Sequence, residues 1–256
     1  APPRPKNWID TVEEAALELT HPVSEETDGN RALWIEVGRA LCAVFLGKTG
    51  EFRQITDQAM IRFEKSRGVE EFFLLRGFAI DPEKQTQDYA RAVERCPHHV
   101  LGRYLLANQL ANSGGYGKAL TEVEKAVRGW PRVPLFYTLR GLIRQQVQDP
   151  EGALTDYTRS IELQPENFPA LLNRSIVYSG MSRWQKALED LNICLRMNPG
   201  SPWIYHNFGI IRMNLEKWED AISDLEKALQ LAPKDWSNRP EVERLLVQAR
   251  TREKPH

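Results

Sequence analysis

The chain has 256 residues, with 34 Lys+Arg against 35 Asp+Glu and a formal net charge of -1. That balance supplies no field to recruit nucleic acid or an anionic membrane surface, and no apolar run approaches the roughly 18 residues of a membrane-spanning helix. Cys42, Cys96 and Cys194 cannot all pair and stand far apart in sequence, as expected of a protein from a reducing compartment such as the cytoplasm.

The chain begins Ala1-Pro2-Pro3-Arg4, without an initiating Met or a signal-type apolar core, as expected of a processed chain or a piece of a longer one. Asn7–Leu19 reads as a separate N-terminal helix. Thr20–Asn30, with His21-Pro22 and Asp28-Gly29, reads as a loop. Trp34, Val37, Gly38 and Leu41 then share one helical face, and Phe52, Ala59 and Phe63 fit a second helix after an insertion around Gly47–Gly50. Residues 69–80 and 83–95, broken at Asp81-Pro82 and ending at Cys96-Pro97, read as a shortened second hairpin.

From there the chain repeats. Pro97, Pro131, Pro165, Pro199 and Pro233 stand 34 residues apart, and so do Ala119, Ala153, Ala187 and Ala221. A strict period of this size means one supersecondary unit copied and stacked. With Val100, Pro134, Phe168 and Pro202 as position 1, position 8 holds Ala107, Gly141, Ser175 and Gly209, and position 27 holds Ala126, Ser160, Cys194 and Ala228. Small residues in columns let two helices approach to roughly 8–10 Å. Positions 20, 21, 24, 27 and 28 form an apolar stripe of helical period, so the second half of each unit is an amphipathic helix. The first half, such as Ala170–Ser179, is apolar at helical spacing too; Gly114 or Gly180 marks the turn, and the proline at position 32 ends the second helix. Last comes Pro240–Arg252, with Val242, Leu245, Leu246 and Ala249 on one face and Asn238 or Ser237 as its cap. The expected division is 1–30, an N-terminal helix and loop; 31–99, two degenerate hairpins; 100–233, four regular units; 234–256, a capping helix and tail.

The 34-residue helix–turn–helix pattern resembles the tetratricopeptide repeat. Position 4, a tryptophan in that family's consensus, is Arg103, Tyr137, Leu171 and Tyr205, while aromatics stand at position 17 as Tyr116, Trp184 and Trp218. The resemblance implies an all-α, right-handed superhelical solenoid whose first helices line a concave groove through positions 2, 5, 6, 9, 12 and 13. On this chain those positions include Tyr104, Asn108 and Asn112; Thr138, Leu142 and Gln145; Asn173 and Ile176; and Trp203, His206, Asn207, Ile210 and Asn214. No formal charge falls among them in the four regular units. Family members that grip a chaperone's C-terminal carboxylate need Lys or Arg at positions 2, 5 or 6, so such a tail is not the expected ligand. Asn173 and Asn207 both occupy position 6, where an amide can satisfy the backbone of an extended peptide. Trp203 is the natural anchor.

Arg140 and Arg174 take position 7, an apolar place elsewhere, and position 23 is acidic throughout, as Glu122, Asp156, Asp190 and Asp224. The two arginines are expected to pair with acids of that column. Gly47-Lys48-Thr49 lacks the preceding glycine and strand of a phosphate loop, and His98-His99 lacks further ligands for a metal. His206 has no nucleophile or orienting acid at a readable spacing. Asn173-Arg174-Ser175 fits a glycosylation sequon, but it falls mid-helix.

The expected function is therefore non-catalytic and without a cofactor: a module that binds a peptide segment or partner protein in an uncharged groove, but not nucleic acid or membrane. The alternatives are a scaffold or self-assembling subunit of a larger complex, suggested by the aromatic N-terminal half (Trp8, Trp34, Phe45, Phe72, Phe73 and Phe78), and the regulatory arm of a larger enzyme.

Overall fold

A computed structural model describes residues 33, 36, 37, 40, 49–62, 73 and 82–252. The expectations for Asn7–Leu19, for Thr20–Asn30 and for Trp34, Gly38 and Leu41 lie outside the described residues, as does nearly all of 69–80. The described residues contain eleven helices of defined bounds and no strand. The chain divides into two compact units, residues 1–129 and 130–256. The first contains α1 (Thr49–Arg62), α2 (Pro82–Arg95), α3 (Val100–Asn112) and α4 (Tyr116–Gly129). The second contains α5 (Pro134–Gln146), α6 (Pro150–Leu163), α7 (Phe168–Gly180), α8 (Trp184–Met197), α9 (Pro202–Asn214), α10 (Trp218–Leu231) and α11 (Arg239–Thr251). Thr49 and Gly50, expected in an insertion, already belong to α1.

Each boundary of α3 to α10 recurs on the 34-residue grid, first helices at positions 1–13 and second helices at 17–30. Local chemistry sets these edges. The N–H groups of a helix's first turn lack partners in the helix, and a side chain just outside supplies one. Nδ1 of His99 accepts from the Gly102 N–H at 2.9 Å. Oδ1 of Asp149 accepts from Gly152 at 3.0 Å, and Oδ1 of Asn167 from Ala170 at 3.1 Å. Proline in the first turn of α5, α6 and α9 gives up an N–H that had no partner anyway. Ser237 and Asn238 do not cap α11 with a side chain: the Ser237 hydroxyl donates to Oδ1 of Asn238 instead, at 3.2 Å.

The turn inside each regular hairpin is set at position 15. There φ is positive in all four units: +80° at Gly114, 60° at Gln148, 55° at Ser182 and 59° at Glu216. Only the first has the residue that adopts this conformation freely. Gly180, expected at the turn, is instead the last residue of α7, and Ser182 takes the left-handed place. A side chain in that conformation costs roughly 1–2 kcal/mol. Glu216→Gly and Gln148→Gly are each expected to raise stability by about 0.5–1 kcal/mol, after the extra backbone entropy of glycine is deducted. Urea unfolding followed by circular dichroism checks this; a loss of stability at both positions would refute it.

The core runs along the hairpins, where small residues admit large ones. Position 8 packs against position 24: a Cβ added to Gly141 would lie 2.7 Å from Cε1 of Tyr157, and one on Gly209 would lie 2.6 Å from Cδ2 of Leu225. Tyr157 and Leu225 are fully buried. Within the unit 134–167 sits a buried polar knot. Oγ of Ser160 donates to the Pro134 carbonyl at 2.8 Å and is 2.8 Å from Oγ1 of Thr138, and Nδ2 of Asn167 donates to Ser160 at 3.0 Å. The last hairpin is covered by α11, whose Val242, Leu245, Leu246 and Ala249 pack with Met213, Ala221, Leu225, Ala228 and Trp236. A solenoid needs such a polar-backed end. Nη2 of Arg239 donates to the carbonyls of Leu229 at 3.2 Å and Ala232 at 3.1 Å, closing the C-terminus of α10.

Candidate interaction surface

Within the second unit α7 packs beside both α5 and α9, so the first helices of three hairpins present one continuous face. The side chains at positions 2 and 9 reach solvent there: Leu135 is 51% exposed, and Leu142, Ile176 and Trp203 are each 39% exposed. They are apolar, yet folding leaves them uncovered. Around them lie amides in differing states. Nδ2 of Asn207 donates to the Trp203 carbonyl one turn back at 2.7 Å, and Nδ2 of Asn214 donates to Ile210 at 2.9 Å. Oε1 of Gln145 accepts the Tyr157 hydroxyl. Asn173 is half-buried and makes no side-chain hydrogen bond among the described residues, which leaves its donor and acceptor available.

Two of the expected site residues are not on this surface. Thr138 is buried, its hydroxyl held by Ser160 and by the Pro134 carbonyl at 3.2 Å. His206 is buried between Trp203 and Trp236, with ring centroids 6.5 and 6.0 Å away. Burial lowers the His206 pKa, with the Glu241 carboxylate opposing. In the first unit Tyr104 and Asn108 on α3 are half-buried and Asn112 is exposed.

The acidic column of position 23 is matched throughout, and its three aspartates are buried. Asp156 receives Nε of Arg140 at 2.9 Å, Nη2 of Arg140 at 2.6 Å and Nη1 of Arg144 at 2.8 Å. Asp190 receives Nε of Arg174 at 2.8 Å and its Nη2 at 2.7 Å, and Nη1 of Arg174 donates to Thr158. Where position 7 is apolar, a neighbouring turn supplies the cation: Arg212 at position 11 reaches Asp224 at 2.7 Å, and Arg103 at position 4 reaches Glu122. Sequence reasoning missed Arg103, Arg144 and Arg212. The available signal was that positions 4 and 11 lie one turn either side of 7 on the same face.

Asp224 differs from its counterparts. Burial pushes its pKa up from 3.8 to about 6, which the Arg212 guanidinium opposes but does not cancel. Arg212 is itself about one-third exposed, so part of its field goes to solvent. A carboxyl whose pKa is raised by folding binds a proton more tightly in the native state. Its contribution to stability is full below about pH 3.8 and is lost as pH rises through about 6. Asp224→Asn is therefore expected to gain on wild type between pH 4 and 7, by on the order of 2–3 kcal/mol. Chemical unfolding of both proteins across that range measures the difference. A flat difference curve would refute the expectation.

Burial, with Asp190 adding, pushes the Cys194 thiol up to about 12, so this cysteine acts as a small packing residue. No group of three or more His, Cys, Asp or Glu residues able to hold a metal occurs among the described residues. None of their helices is long and apolar enough to cross a membrane.

A family model for the tetratricopeptide repeat matches residues 204–235, which span α9 and α10 with the turn between them. Those residues form a tetratricopeptide repeat. The DnaJ homolog subfamily C member 3 homolog of Dictyostelium discoideum is 26% identical over 193 residues, covering 66% of this chain and 38% of that protein. This repeat protein thus spans well under half the length of the curated relatives it matches. Among solved structures, the Cut9–Hcn1 hetero-tetramer of the APC/C superposes with a TM-score of 0.71 at 15% identity, covering 95% of this chain and 46% of that one. YrrB, described as a TPR protein with an unusual peptide-binding site, superposes with a TM-score of 0.61 at 19% identity, covering 77% of this chain and 97% of its own. At these identities the likeness shows the fold. A tetratricopeptide fold is typically that of a non-catalytic protein–protein interaction module.

Proposed function

We propose that this repeat protein binds an extended peptide segment of a partner along the first-helix face of its second unit, the face the family resemblance makes concave. The observation that carries the reading is the exposure of Leu135, Leu142, Ile176 and Trp203 at positions 2 and 9, in a surface without formal charge. Apolar side chains left in water along one strip gain free energy when covered, about 25 cal/mol per Å². The free amide of Asn173 lies between them in sequence and supplies a donor and an acceptor for a main-chain peptide group. Tyr104, Asn108 and Asn112 stand at the corresponding positions of α3 and are proposed as a contact surface of the first unit by itself. Binding of this kind depends little on salt, since screening acts on charges and not on apolar contact.

The test is affinity for an immobilised array of acetylated, amidated peptides of mixed aliphatic and polar sequence, compared between wild type and Leu142→Ala/Ile176→Ala. Both positions are exposed, so the variant is expected to keep wild-type helicity while losing at least tenfold in affinity, as removal of central apolar anchors does. Trp203→Ala is expected to cost as much alone. Peptides that bind wild type and the double variant equally, or whose binding vanishes at high salt, would sink the reading.

A further inference from the structure

On the first-helix face of the second unit the apolar side chains stand in two columns. Position 2 contributes Leu135, Pro169 and Trp203, all exposed. Position 9 contributes Leu142 and Ile176, exposed, and Ile210, half-buried. On each helix the two positions are seven residues apart, two turns of the same face, so the columns run about 10 Å apart at roughly 1.5 Å of rise per residue. Along a column the step is one frame, from one first helix to the next. Cα atoms of α7 come within 8 Å of Cα atoms on both α5 and α9, and packed helices have axes roughly 8–10 Å apart. Between the columns, at position 6, lie Asn173 and Asn207, again one frame apart and both half-buried. No formal charge occurs among the face positions of these three helices.

We infer that this face takes a polyproline II segment whose apolar residues recur every third position. The inference deepens the peptide-binding reading above and rests on it. Charge complementarity sets the first condition: a charged residue in contact would lose water and meet no counter-charge, so the contacting residues are uncharged. The amide of Asn173 sets the second, because it needs main-chain groups that are still unpaired. An α-helical ligand has already used its own. Pitch sets the third. Three residues of an open chain advance roughly 9–10 Å, one step from helix to helix. In a β-strand side chains alternate, so the third residue along points away from the face. In polyproline II three residues complete one turn of about 9 Å, and the third returns to the same side. One row of ligand side chains therefore meets Leu142, Ile176 and Ile210 in turn. The adjacent row meets Leu135, Pro169 and Trp203, and the third row faces water. The ligand pattern is two apolar residues and one unrestricted residue, repeated. Proline suits an apolar place because its fixed φ presets this conformation, and Trp203 supplies the aromatic wall that such segments favour.

The test is calorimetric titration of the full chain with acetylated, amidated peptides. The first is three repeats of Leu-Pro-Gln. The second is the same triads separated by one extra glutamine, which keeps the chemistry and breaks the pitch. The third alternates Leu and Gln, the pattern of a strand. The first peptide is expected to bind at least about tenfold more tightly than either of the others. Its affinity should fall at least about tenfold in Leu142→Ala/Ile176→Ala and about threefold or more in Asn173→Ala, with helicity unchanged in both. Equal binding of the first and second peptides overturns the inference, because the pitch is then not read. First-peptide binding that both variants leave intact overturns it too, since the contact then lies elsewhere. The two readings fail separately. If the alternating peptide binds best and Leu142→Ala/Ile176→Ala weakens it, the groove stands and the polyproline II conformation falls. If no peptide binds, both fall.

Discussion

Arg174→Ala is expected to destabilise the chain by about 3–5 kcal/mol, because it leaves a carboxylate buried without its counter-ion. The Asp190 side chain is 4% exposed and takes both of its strong hydrogen bonds from that one guanidinium. Asp156 is equally buried but holds two arginines, so Arg140→Ala leaves it Arg144 and is expected to cost less. The ordering of the two variants is the sharper test, since a general loss of packing would weaken both alike. Replacing the pair together, as Arg174→Met/Asp190→Leu, is expected to restore most of the stability, because apolar groups of similar volume carry no desolvation cost. Urea unfolding of the three proteins measures this. Equal losses at Arg140 and Arg174, or a double variant no better than the single one, would refute the account.

Gly141→Val is expected to cost about 3 kcal/mol, at the upper end for overpacking a helix crossing. The added carbons would press into the Tyr157 ring, which is fully buried and whose hydroxyl is held by Gln145. The ring has nowhere to retreat without giving up that bond. Gly180→Ala is the control: a Cβ there meets nothing within 4 Å, and the residue closes an exposed helix end. It is expected to gain about 0.5 kcal/mol from lower unfolded-state entropy. Thermal unfolding of both variants decides it. Loss at Gly180 as large as at Gly141 would mean that glycine matters for chain flexibility here and not for room.

The regular hairpins were legible because the sequence prints one answer four times. The 34-residue grid predicted the small columns at positions 8 and 20, and helix edges recur on it without a slip. The pairing of Arg140 and Arg174 with the acidic column was legible too, since a charge at an apolar position needs a partner. Less of the candidate surface could be read. Thr138 occupies a groove position by count, but its short side chain finds Ser160 and the Pro134 carbonyl beneath it. His206 is covered by Trp236, a residue outside the regular grid whose destination no periodicity specifies. Gly180 misled for the opposite reason: glycine permits a left-handed turn without requiring one, and the turn fell on Ser182.

Each acid of position 23 meets its principal cation inside its own 34-residue frame: Glu122 with Arg103, Asp156 with Arg140 and Arg144, Asp190 with Arg174, Asp224 with Arg212. The bonds joining Thr138, Ser160 and Asn167 likewise fall within residues 134–167, while Asn167 and Thr158 also reach the next frame at Ala170 and Arg174. A frame excised or duplicated whole therefore keeps each position-23 acid with its cation, whereas a cut out of phase separates them. Length in such a chain is expected to be adjustable in steps of one frame, and the reach of the proposed binding face would change while its chemistry stayed the same.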